Sequence, residues 1–144
     1  MILFVCLGNI IRSPCAEAIF HQLTKGKIPT ASSAVGHWSL GEHPDPRMVK
    51  ALKKRGYEIN ENRRARLIQK DDFEKYDWIL AADLNVYNRL KERCAIEKVQ
   101  MMTFRSKRFL NESVPDPYYS GDEAFEPVVE MIEEAVTSLV ETIS

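Results

Sequence analysis

Two hydrophobic periods alternate along the chain. Residues 2–5 (ILFV) form a continuous apolar run rich in β-formers, which predicts a strand buried on both faces. The next nine residues, CLGNIIRSP, lead into Ala16, Ile19, Phe20 and Leu23 at helical spacing. Pro14 suits the first position of that helix, with Ser13 before it as the N-cap, and Gly26 ends it. Residues 31–36 read as a weaker second strand, and 41–46, with one Gly and two Pro, as a loop. A helix over 47–55 stops near Gly56, residues 58–66 are polar connecting chain, and a short helix spans 70–75. WILA at 78–81 is a third strand, and Asp83 caps the helix that carries Val86, Tyr87 and Leu90. Residues 99–104 give a fourth strand, with a basic loop at 105–107. After the turn-rich 116–121, Asp122 caps a final helix whose stripe is Phe125, Val129, Ile132, Val136, Leu139 and Ile143. Strands alternating with helices predict an α/β fold, a parallel sheet with helices on both faces, in one domain over 1–144.

Composition narrows the function classes. With 44% hydrophobic and 28% charged residues in 144, the chain is neither a disordered tail nor a collagen-like repeat. Twenty Lys and Arg against 21 Asp and Glu leave a net charge of -1, which argues against a general nucleic-acid binder. Affinity for an anion must therefore come from a local site. No apolar stretch is long enough for a membrane span, and the short N-terminal run lacks the basic leader of a signal peptide. Cys6, Cys15 and Cys94 are odd in number and scattered, with no C-x-x-C pair, so a reduced, cytoplasmic protein is expected. His21, His37 and His43 show no ligand spacing, and neither metal nor cofactor is expected.

The candidate chemistry lies at the end of the first strand. In open parallel sheets, ligands bind at the carboxyl ends of strands where the strand order switches. Cys6 falls at such an end, and the loop after it runs into a helix N-terminus, where backbone N–H groups and the helix dipole favour an anion. Gly8 lets the backbone curl, and Asn9 tolerates left-handed geometry. Arg12 offers a planar, two-pronged donor for phosphate oxygens. A helix N-terminus and a neighbouring cation favour thiolate over thiol, and the Ser13 hydroxyl is a further donor to it. Residues 6–13 thus read as a cradle for a tetrahedral oxyanion with a nucleophile at its floor. The leaving group needs a proton, and Asp116, ahead of the rigid Pro117, is the best general acid in the chain. Tyr118, Tyr119 and Trp38 are candidate aromatic walls, Trp38 with core packing as its alternative.

CLGNIIRSP at 6–14 together with DPYY at 116–119 closely resembles the low-molecular-weight protein tyrosine phosphatases. A bare C-x5-R is shared by unrelated phosphatases; with G-N inside it, S-P after it and DPYY far downstream, the signal is strong. The likeness extends over the whole chain, with Ser32, Trp38 and the P-D-P-R of 44–47 at the expected places. The resemblance implies a four-stranded parallel sheet of order 2-1-3-4 and metal-independent hydrolysis of phosphotyrosine. It assigns Cys6 as nucleophile, Arg12 to phosphate and Asp116 as general acid. Leu7, Gly8, Asn9, Ile10, Ile11 and Ser13 would line the phosphate, and Ser32 would support the loop. The implied partners are tyrosine-phosphorylated proteins or peptides, with no nucleic acid and no membrane, and a monomer is the expected state. Two positions depart from the family. Ile11 stands where a second, redox-protective cysteine is usual, and Arg63 where a histidine commonly braces the loop asparagine.

Rival readings are weaker. Arsenate reduction on this fold needs two further cysteines on a mobile segment, and Cys94 alone cannot supply a pair. A protein arginine phosphatase would carry a small polar residue in place of bulky Ile10. An inactive phosphotyrosine-binding module has no support, because nucleophile, arginine and acid are all present, and a phosphocysteine carrier needs neither the arginine nor the acid. Cys15 reads as a helix-packing residue, with a redox partner for Cys6 as its alternative.

Overall fold

Strand β1 (Ile2–Cys6) is buried at all five positions because helices cover both sides of the sheet. The computed structural model describes residues 1–94 and 97–143. Among these, β1 is followed by α1 (Arg12–Leu23), β2 (Thr30–Ala34), α2 (Pro46–Lys54), α3 (Asp72–Lys75), β3 (Trp78–Ala81), α4 (Leu84–Arg93), β4 (Val99–Met101) and α5 (Phe125–Ile143). The strands pair in parallel in the order β2-β1-β3-β4, with Cys6 opposite Ala34 and Val5 opposite Ala81. The predicted α/β class and strand order are therefore correct.

Side-chain alternation divides the core. Ile2, Phe4 and Cys6 face a cluster built with α1, α2 and α5, while Leu3 and Val5 face one built with α4, Ile79 and Val99. Phe4 and Phe20 meet edge to face at 5.7 Å in the first cluster. Truncating a fully buried ring such as Phe4 costs about 3–5 kcal/mol. That packing holds the carboxyl end of β1, and hence Cys6, against the start of α1. On α5, Phe125, Val129, Ile132, Val136 and Leu139 are buried as the stripe predicts, and Ile143 packs at the edge. No helix among the described residues is long and apolar enough to cross a membrane.

Several boundaries differ from the sequence reading. Ser13 does not cap α1: the helix begins at Arg12 after Ile11, and no side chain caps it, because the Ser13 hydroxyl turns toward Cys6 and Asn9 instead. Asp122 caps nothing either; residues 122–124 form a 3-10 turn that runs directly into α5. Helix α2 starts one residue early because Asp45 accepts from the Arg47 N–H and Pro46 occupies the first turn. Strand β4 stops at Met101, where the chain turns through Phe104 N–H to Met101 C=O. Asp83 does cap α4, accepting from the Val86 N–H.

Candidate active site

Residues 7–11 wrap around the Cys6 side chain. The Asn9 N–H donates to Cys6 Sγ at 3.2 Å, and Asn9 itself is left-handed, with φ of 58°. Asparagine tolerates that region better than most residues. Gly8 is not left-handed; a Cβ there would lie 3.2 Å from Ser39 Oγ, so the absence of a side chain lets the 39–42 turn approach the loop. Cys6 and Arg12 are buried, 2% exposed each.

A hydrogen-bonded relay holds this loop. Asn9 Nδ2 donates to Ser13 Oγ at 2.8 Å and to Ser32 Oγ at 2.9 Å, and the Arg66 N–H donates to Asn9 Oδ1 at 3.1 Å. Ser13 Oγ lies 3.0 Å from Cys6 Sγ. Ser13 Oγ accepts from Asn9, and its own hydrogen has two acceptors in reach, the sulfur at 3.0 Å and the Ser33 carbonyl at 3.5 Å. Ser32 Oγ donates to Glu17 at 2.5 Å and accepts from Arg63 Nη2 at 2.7 Å. Arg63 also pairs with Glu17 at 3.3 Å. Arg63 thus braces Asn9 through Ser32, which resolves the departure at position 63. Ser32 stands behind the loop, bonded to Asn9, Glu17 and Arg63.

The guanidinium is fixed from the far side. Arg12 Nη1 donates to Asp83 Oδ2 at 2.7 Å and to the Val114 carbonyl at 2.8 Å, and Asp116 Oδ2 lies 3.6 Å from Nη2. Burial works against the Arg12 charge, but Cys6 and Asp83 outweigh it and hold its pKa above the ordinary arginine value. Asp83 follows β3, the neighbour of β1, so the carboxyl ends on either side of the switch point supply both sulfur and clamp. Asp83 is missing from the sequence-predicted site, although its position at a strand end pointed there. Asp116 is exposed and accepts from the Tyr118 N–H through Oδ1 at 3.1 Å, which leaves Oδ2 turned to Arg12.

These groups open into a cavity of about 510 Å³ lined by residues 6–12, Trp38, Ser39, Glu42, Asp116, Tyr118 and Tyr119. Trp38 is 66% exposed, so it is a wall and not core. Tyr118 and Tyr119 meet edge to face at 4.9 Å on the other side. Beside Trp38, Ser39 lines the cavity and His37 does not, and Glu42 completes the rim. Ile10 and Ile11 are nearly buried where they meet it. Cys15 is fully buried in the core, where burial pushes its thiol up, in line with a packing role. Among the described residues no three His, Cys, Asp or Glu side chains cluster as a metal site. A buried sulfur, the inward Asn9 amide and a clamped guanidinium with a carboxyl at the rim can bind a tetrahedral oxyanion and pass it to the sulfur.

Known proteins resemble the chain along its length. The profile of the family described as low molecular weight phosphotyrosine protein phosphatase matches residues 1–144. The low molecular weight phosphotyrosine protein phosphatase of Sus scrofa is 38% identical over 138 residues, covering 88% of this chain and 85% of that protein. A crystal structure of a protein tyrosine phosphatase from Entamoeba histolytica, with Hepes in its active site, superposes with a TM-score of 0.90 at 34% identity over 99% of this chain and 95% of that one. The crystal structure of YfkJ from Bacillus subtilis gives a TM-score of 0.89 at 32% identity, over 99% and 92%.

Proposed function

The chain belongs to the low molecular weight phosphotyrosine protein phosphatase family, hydrolases of phosphomonoesters, and from that premise we propose that it dephosphorylates phosphotyrosine by double displacement at Cys6. The Cys6 thiolate attacks phosphorus in line, forming an S–P bond as the P–O bond to the tyrosine ring breaks. Asp116 delivers its proton to the departing phenolic oxygen, which leaves as tyrosine. A water then attacks the phosphocysteine, Asp116 takes its proton, the S–P bond breaks, and inorganic phosphate leaves with the thiolate restored. Arg12 and the amides of 7–12 bind the non-bridging oxygens through both steps, strengthening as charge spreads over them. Ser13 donates to the sulfur whenever it is the leaving or attacking thiolate.

The observation that carries this reading is the clamp on Arg12. Its Nη1 is spent on Asp83 and Val114, so the opposite edge of the guanidinium faces the cavity above Cys6 with Asp116 beside it. Trp38, Tyr118 and Tyr119 provide ring faces at the mouth, which suits an aryl phosphate carried on a peptide. Three unpaired, buried cysteines suit a reducing, cytoplasmic setting, and a monomer completes the site without a partner. The test is to quench the enzyme during turnover of a phosphotyrosine peptide and read the mass of the Cys6-containing fragment. One added phosphoryl group there, absent in Cys6→Ser, supports double displacement; turnover with no adduct on any fragment points to direct attack by water.

A further inference from the structure

The segment that carries Asp116 is a turn on the surface, and among the described residues two hydrogen bonds reach the backbone of 117–120 from elsewhere in the chain. Both come from Arg47. Its Nη2 donates to the Tyr118 carbonyl at 3.0 Å and its Nη1 to the Ser120 carbonyl at 3.1 Å. The same guanidinium grips Asp45 with a fork, Nε to Oδ1 at 3.1 Å and Nη2 to Oδ2 at 2.9 Å, and lies 4.5 Å over the Phe125 ring. Asp45 is buried, and its N–H donates to the Ile10 carbonyl at 2.8 Å. A continuous path therefore runs from the phosphate loop at Ile10 through Asp45 and Arg47 to Tyr118, whose N–H holds Asp116 Oδ1.

We propose that Arg47 is the positioning residue of the general-acid turn, setting the distance between Asp116 and the phosphate held over Cys6. The inference rests on Asp116 acting as the acid. A guanidinium suits the task because one rigid plane donates to a carboxylate and to two carbonyls at once, whereas an ammonium on a flexible stem cannot fix all three directions. Displacing an acid by about 1 Å is enough to cost up to on the order of 100-fold in rate. The effect must fall on substrates that need the proton and spare those that do not.

The experiment measures kcat/KM, which reports P–O cleavage, over aryl phosphates with leaving groups from p-nitrophenol to phenol. Wild type is compared with Arg47→Lys, Arg47→Ala, Asp116→Ala and the Arg47→Ala/Asp116→Ala double variant, with inorganic phosphate inhibition as a readout of the phosphate loop. Expected are losses on phenyl phosphate of roughly 10- to 100-fold in the Arg47 variants, a much smaller loss on p-nitrophenyl phosphate, unchanged phosphate inhibition, and a double variant no more leaving-group-sensitive than Asp116→Ala. Arg47→Lys keeps a cation against Asp45, so it decides the matter if Arg47→Ala does not fold. Equal losses on every leaving group, additive effects in the double variant, or no change in Arg47→Lys would overturn the inference while leaving Asp116 as the acid. A profile for Asp116→Ala that is itself flat would remove the acid assignment, and the inference with it.

Discussion

Asp83 accepts from Arg12 through one carboxylate oxygen at 2.7 Å and from the Val86 N–H through the other at 2.8 Å. One side chain therefore starts α4 and aims the guanidinium. Asp83→Ala leaves an almost fully buried cation without its carboxylate and α4 without its cap, which together should cost about 3 kcal/mol or more. Urea denaturation and steady-state kinetics on a phosphotyrosine peptide check this. Stability should drop and KM should rise with it; a variant within about 0.5 kcal/mol of wild type would mean that the pair is not an effective clamp.

Arg63 contributes through Ser32. Arg63→Ala removes a donor from Ser32 and the cation from the half-buried Glu17, an expected loss of about 1–3 kcal/mol. Asn9 keeps its bonds to Ser13 and Arg66 but loses a fixed Ser32, so kcat should fall at unchanged fold. Thermal unfolding and kcat separate the two effects, and a variant with wild-type values of both would reduce Arg63 to a surface ion pair.

Gly36 sets the stance of the aromatic wall. A Cβ at this position would lie 2.9 Å from Trp38 Cη2 and 3.0 Å from the Leu7 carbonyl, so Gly36→Ala must displace the indole. The expected result is a several-fold higher KM for aryl phosphates, on the scale of about 1 kcal/mol of lost ring contact, with inhibition by inorganic phosphate unchanged. A KM that does not move would show that Trp38 does not meet the substrate ring.

Acid stability follows from two carboxylates. Burial opposes the charge on Asp45, but the Arg47 bonds prevail and lower its pKa; Glu134 is likewise lowered, by bonds from Ser106, Lys107 N–H and Ser138 that outweigh burial. In the acid range the unfolded chain then binds more protons than the folded one, so stability rises with pH there. The contribution is present above the ordinary carboxylate range and is lost as pH falls below roughly pH 4 through the folded values. Glu134→Gln should be less stable than wild type at neutral pH and converge with it in acid. A stability gap independent of pH would contradict the assignment.

Most signals carried by near neighbours are legible in the chain, whereas contacts between distant segments are legible only where the parallel sheet or the family resemblance fixes them. The strand at 2–5, the Asp83 cap and the left-handed Asn9 depend on near neighbours, and each is where periodicity and residue chemistry predict it. Cys6, Arg12 and Asp116 meet in one cavity because a parallel sheet brings its strand ends together. Ser13 departs from its expected cap because its hydroxyl has two competing partners, the helix N-terminus and the sulfur, and the spacing does not reveal which prevails. Arg47 and the clamping role of Asp83 depend on partners about 70 residues away, at Tyr118 and Arg12, which no local pattern encodes.

Hydrolysis of p-nitrophenyl phosphate in the presence of EDTA, by wild type and by folded Cys6→Ser, tests the account most directly. Metal-independent turnover by wild type that vanishes in Cys6→Ser is the predicted result. Turnover that survives the loss of the thiol would contradict a mechanism built on Cys6.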